Sequence, residues 1–274
     1  MSAQNPEPVG RRSFVLVMAL MELLCGFQVA GQSNPGPHDA GSGNQESFQV
    51  PAGTVLPVRL NHGFSSKTAR AGQAITGRIM QDVPLPNNGK IPEGAKVLGT
   101  IVSVVPAQNS GNSKISFRFD ALQIHHRRIS IVTNLRALAG FMEVQYAQTP
   151  ETSPGFGTPI PWVTTSQIGG DEVYGVGGPV TDQSSTTVGK AVFGGVLVHV
   201  RAQPGSKCRG ALDAEDRLQA LWVFSSDACG LYGMAGVTLV HAGRTEPAGE
   251  VILAADGRDV LVRGASGMLL RVLR

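Results

Sequence analysis

The chain has 274 residues, a formal net charge of +3, and only 16% charged and 5% aromatic residues, with 35 glycines and 17 prolines. This composition excludes a helix-rich protein built from Leu/Glu/Lys/Ala stretches. With no Lys/Arg run and no aromatic–basic interleaving, it also argues against a nucleic-acid partner.

The N-terminus reads as an export signal. Arg11 and Arg12 precede the apolar run Phe14–Met21, and Val29-Ala30-Gly31 supplies small residues, so a signal peptide over residues 1–31 is expected, cut between Gly31 and Gln32. The rival is a retained anchor, the one way this chain would meet a membrane. It needs about 20 largely apolar residues, and Glu22 interrupts the run. A lipidated Cys25 lacks small residues ahead of it. Arg11-Arg12-Ser13-Phe14-Val15-Leu16 partly resembles a twin-arginine signal, although two arginines serve the general secretory route equally. Export leads to a periplasmic or extracellular localisation. Residues 32–47 contain almost nothing apolar and read as a flexible linker.

From Phe48 onward, short apolar runs are broken by Gly, Pro and Asn at intervals of about 8 to 12 residues. The expected fold class is all-β: one or two antiparallel barrel-like or sandwich domains, with a barrel-like domain over 48–148. Val50-Pro51-Ala52-Gly53 and Ile91-Pro92-Glu93-Gly94 each open an apolar run; Pro fixes φ, Gly takes the turn position that needs positive φ, and a strand follows. Further strands are expected at Ala74–Met80, around Ile115, Phe117 and Phe119, and around Ile129, Ile131 and Leu135. His125–Arg128 reads as a hairpin tip. Residues 149–190 read as Gly/Pro/Thr-rich loops. Residues 191–274 form a C-terminal β region, with strands near 192–202, 218–225, 237–241, 249–254, 259–263 and 268–273. Removing the leader leaves Cys208 and Cys229, a disulfide candidate in an oxidising compartment, against the alternative of two buried thiols.

Val50–Arg59, Ser65–Ala69, Gly77–Ile79 and Ile91–Ile101 together resemble the β-barrel domain of the conjugal-transfer scaffold family of type IV secretion systems, over about residues 48–140. The resemblance implies a barrel and an envelope scaffold role. The family's cytoplasmic tail, long Pro-rich stretch and pore-lining helical hairpin have no counterpart in this sequence. The same motif pair occurs in exported bacterial proteins of unknown function, which Leu221–Tyr232 and Val240–Pro247 also resemble.

The chemical motifs are weak. Gly169-Gly170-Asp171-Glu172 resembles a diguanylate cyclase signature but sits in an exported β chain. Gly189-Lys190 lacks the first Gly and the Ser/Thr of a phosphate loop. Ser266 lacks the second Gly of a nucleophile elbow. His62, His199 and His241, with Asp171, Asp227 or Glu246, show no metal-ligand spacing. No catalytic, cofactor-binding or metal residue is assigned, and no cofactor is expected. The expected role is a non-enzymatic scaffold or interaction role, with envelope proteins or cell-wall polymer as partners. The alternative is a small-ligand or glycan-binding module in which Trp162 and Tyr174, on converging loops, face one groove; a hydrolase ranks third.

Overall fold

In the computed structural model, which describes residues 49–108, 111–152, 155, 157–201, 208 and 217–274, the two Pro-x-Gly segments form the same turn. Thr54 N donates to Pro51 O and Ala95 N to Pro92 O, each at 3.2 Å. Gly53 and Gly94 take φ of 84° and 82°, values that L side chains avoid. Strands β1 (Val55–Leu60) and β6 (Lys96–Val105) follow. They do not pair with each other; β3 (Ala74–Ile79) lies between them, antiparallel to both. The signal peptide, its Gly31–Gln32 cleavage point and the 32–47 linker lie outside the described residues.

The remaining strands of the first half are β2 (Phe64–Ser65), β4 (Val83–Pro84), β5 (Lys90–Ile91), β7 (Ser113–Ile124), β8 (Arg127–Ser130) and β9 (Thr133–Ala139). His125 and His126 form the β7–β8 turn, with His125 at φ 53°. A short helix, α1 (Phe141–Ala147), and a 3-10 turn (Ile160–Trp162) come next. The segment expected to be loop forms strands instead: β10 (Thr164–Ser166), β11 (Glu172–Tyr174), β12 (Pro179–Thr181) and the start of β13 (Thr187–Val192). Three of these strands have three residues each, and glycines bracket β11, so local sequence resembles turn; pairing with neighbours makes them sheet. The chain closes with β14 (Gly195–His199), β15 (Leu218–Ala220), β16 (Gly230–Tyr232), β17 (Val237–Ala242), β18 (Val251–Ala255), β19 (Leu261–Val262) and β20 (Gly267–Val272).

Strand makes up 48% and helix 6%, and the sheets are antiparallel except for the parallel pair β16–β9. The main sheet has ten strands in the order β16-β9-β20-β1-β3-β6-β7-β18-β17, with β8 on the far half of β7. Its end strand β17 lies against β16 and β9, so the sheet curls almost shut. Inside it pack Leu56, Val58, Ile79, Val97, Ile101, Phe117, Phe119, Leu253, Met268 and Leu270, all buried. Phe117 meets Phe64 and Phe119 edge to face, with ring centroids 5.2 and 6.0 Å apart. Strands from 191–274 thus complete the barrel begun by 48–148: β20 sits between β1 and β9, and β18 pairs with β7.

A second, six-stranded sheet runs as a meander, β10-β11-β12-β13-β14-β15. Val180, Val196, Val198, Leu221 and Phe224 from this sheet and its exit share one cluster with Val55, Ala137, Ala139 and Leu269 of the barrel. β9 and β20 are therefore buried at every position. Fully burying a Val, Leu or Phe side chain contributes about 1.5–3 kcal/mol, so apolar packing dominates this layer.

Three polar side chains stitch the layers. Gln81 Oε1 accepts from Trp222 N (2.5 Å) and Val196 N (3.3 Å), while its Nε2 donates to Val196 O (2.9 Å). Gln219 Oε1 accepts from Val55 N at 3.2 Å. Arg136, buried where the β9–β20 register shifts, donates from Nη2 to Arg201 O at 2.8 Å. Each bonds backbone across the two layers, and Gln81 meets both the N–H of Trp222 and the N–H and C=O of Val196.

Candidate functional site

The meander's two ends differ in chemistry. Because all five pairings are antiparallel, successive turns fall on alternate ends. The turns at 167–171 and 182–186, and Arg201 after β14, share one end. The residues before β10, the turn at 175–178 and the turn at 193–194 share the other.

The first end is polar, and its Asp171 and Asp182 carboxylates are engaged by neighbouring groups. Asp182 Oδ1 accepts from Ser184 N (2.9 Å), Ser184 Oγ (2.8 Å) and Thr186 N (2.9 Å), and Arg201 is ion-paired to Asp182. Gly169 and Gly170, at φ 115° and 107°, bring the chain so close to Ser225 and Gln183 that a Cβ at either would sit about 2 Å from a side-chain atom. Asp171 is buried, and its Oδ2 accepts from Ser226 N at 2.6 Å. Burial pushes its carboxyl above the ordinary aspartate value, an effect that the Ser226 backbone bond opposes. Within Gly169-Gly170-Asp171-Glu172, the glycines make a close turn and the aspartate holds backbone.

The opposite end is apolar and open. Ile160 is 63% exposed, Trp162 72%, Val176 97% and Phe193 93%. Gly175 N donates to Val163 O at 2.7 Å, which places the 175–178 turn beside Trp162, and Ala191 N donates to Gly178 O at 2.8 Å, which brings the 193–194 turn alongside. At the strand spacing of about 4.8 Å, the span from β10 to β14 gives a rim on the order of 19 Å long. Trp162 is fixed by its backbone: its N donates to Pro159 O at 2.8 Å, and its O accepts from Thr152 Oγ1 at 3.0 Å.

Trp162 and Tyr174 do come from adjoining segments, since Tyr174 pairs with Thr164. The Tyr174 hydroxyl donates to Glu172 Oε2 at 2.5 Å, and that bond raises its pKa. Two clefts, of about 540 and 660 Å³, are lined by barrel residues, with neither Trp162 nor Tyr174 among them. Scattered histidines stay apart: His62 borders a barrel cleft, His199 ends β14, and His241 on β17 has Nδ1 2.8 Å from Glu250 O. Among the described residues, no three His, Cys, Asp or Glu side chains gather as metal ligands. Gly189-Lys190 lies within β13. Ser266 is buried beside β20.

Cys208 and Cys229 form a disulfide, with Cα atoms 5.9 Å apart, inside the usual range of roughly 4.4–6.8 Å. The bridge pins Cys208 beside β16, where Cys229 N donates to the Tyr232 hydroxyl at 3.0 Å.

The fold and rim define a class: an all-β protein whose curled antiparallel sheet carries a packed meander with one apolar and one polar end. No family model, curated protein or solved structure matches the chain.

Proposed function

We propose that this chain is an exported protein of the cell envelope that acts by interaction, presenting the apolar rim of its second sheet to another envelope protein. The rim carries the reading. Single exposed apolar residues are ordinary, but here Ile160, Trp162, Val176 and Phe193 gather at one end of one sheet, while the other end is polar. Large apolar side chains, with Trp foremost, are the anchors of protein interfaces. The resemblance of Val50–Arg59 and Ile91–Ile101 to envelope scaffolds points the same way, as does the disulfide, a bond of oxidising compartments.

Cross-linking in an envelope fraction tests this. Wild type is expected to give one discrete adduct, and Trp162→Ser with Phe193→Ser to reduce it about tenfold or more, as loss of interface anchors does. An adduct of equal yield from the double variant would overturn the rim as the contact.

A second reading, a glycan-binding face, draws on Trp162 beside Tyr174 and its Glu172 partner. It predicts that cell-wall polymer binding falls with Trp162→Ala and Tyr174→Ala yet is indifferent to Phe193→Ser.

A further inference from the structure

Strand register lines up cations that lie far apart in sequence. Arg59 on β1 is paired with Arg78 on β3, Arg78 with Lys96 on β6, Lys96 with Gln123 on β7, and Gln123 with Arg128 on β8. Directly opposed residues of antiparallel strands point to the same face. All four cations are exposed, so this face is the outside of the barrel. The row spans five strands, about 19 Å at the usual spacing.

Like charges directly opposite one another destabilise a sheet, and no carboxylate reaches ion-pair distance of these four among the described residues. The ion pairs Lys90–Asp82, Arg118–Asp120 and Arg201–Asp182 involve none of the four. The next outward row is Asn61, Thr76, Leu98, Ala121 and Ser130, without a single acid. At the β1 end the row enters a cleft of about 540 Å³ whose lining includes Arg59, Arg78, Asn61, His62 and Met80, together with one acid, Glu93. At the β8 end it opens into a hollow of about 660 Å³ holding Arg128, Arg118 and Arg274, where Asp120 is engaged by Arg118.

We propose that this row is a binding track for a linear polyanion whose phosphate or carboxylate groups are strung along a flexible chain. Two paired guanidinium forks, Arg59 and Arg78, meet oxyanions with two oxygens well. Lys96 and Arg128 carry the same sign onward, and Asn61, Thr76 and Ser130 border the track with hydrogen-bonding groups. No Trp, Tyr or Phe stands in the row or in the outward row beside it, so the large-ring stacking platform on which single-stranded nucleic acid relies is missing. This inference concerns the barrel face and stands whether or not the meander's rim binds a protein.

The test is calorimetric titration of the purified full chain at low salt with two probes, inorganic tripolyphosphate and an oligogalacturonate. Binding of either is expected, and which one binds more tightly identifies the oxyanion. Arg78→Gln with Lys96→Gln, which removes the middle of the row, is expected to weaken it about tenfold or more, with affinity falling steeply as salt rises. Lys114→Gln with Lys190→Gln removes the same charge from exposed positions outside the row and is expected to leave binding within about twofold. The row variant is also expected to melt higher than wild type without ligand, because repulsion is relieved. Failure of both probes to bind, equal losses in the two double variants, or tighter binding of an oligodeoxynucleotide of matched charge would each overturn the track.

Discussion

Asp171 illustrates how burial rather than catalysis determines a residue's properties here. Its carboxylate lies under Ser226 N in a layer closed to water, and its pKa is raised chiefly by that burial. The linkage follows from the sign. A carboxyl that titrates higher when folded binds its proton more tightly in the native state, so the stability it confers is complete below the ordinary aspartate value of 3.8 and is lost as pH rises through the folded value. Asp171→Asn keeps an oxygen for Ser226 N but carries no charge. It is therefore expected to raise the melting temperature at pH 7 and to have little effect at pH 3.5. Melts at the two pH values check this, and a variant less stable than wild type at pH 7 would show that the bonds the carboxylate accepts from Ser226 outweigh desolvation.

At the scale of elements, β13 and β14 touch through a glycine. A Cβ on Gly189 would lie 2.2 Å from Leu197 O and 2.6 Å from Val198 Cα, both backbone, so neither atom moves without shifting a strand. Gly189→Ala is expected to cost about 2 kcal/mol or more, at the upper end of what overpacking costs. Urea unfolding should show a lower midpoint with the slope retained; an unchanged midpoint would mean that the pair opens freely. The same hairpins show what sequence conveys. β3, β7 and β20 are legible because their apolar residues alternate or run continuously between turn signals. β10 to β12 are not, since three residues carry no period, and α1 has only seven residues and no side-chain cap. The rim was hidden for a related reason: Val176 sits between glycines and Phe193 precedes two more, so both read as turn filler. Trp162 and Tyr174 stood out by residue type alone. The cation row is invisible without register, because only pairing brings positions 59, 78, 96, 123 and 128 together.

For the whole molecule, the order of strands decides what can fold alone. A division at residue 148 follows composition, but hydrogen bonding ignores it. β1 and β9 are joined only through β20, β7 needs β18 on the half not covered by β8, and β9 has β16 on its other edge. Residues Ser47–Arg274 accordingly form one compact unit. A fragment of residues 49–148 would keep β1, β3, β6, β7 and β8 but leave β9 without either neighbour. It would also expose Val55, Ala137 and Ala139, which the meander now covers. A sheet with unpaired edges and one bare apolar face pairs with other chains or stays molten. The fragment is expected to show strand signal in far-UV circular dichroism without a cooperative thermal transition, whereas the chain from residue 49 to its end is expected to melt in a single transition. A sharp melt and dispersed amide spectrum from the fragment would mean that the first half closes a barrel by itself, with β9 finding a different neighbour from the one that β20 provides.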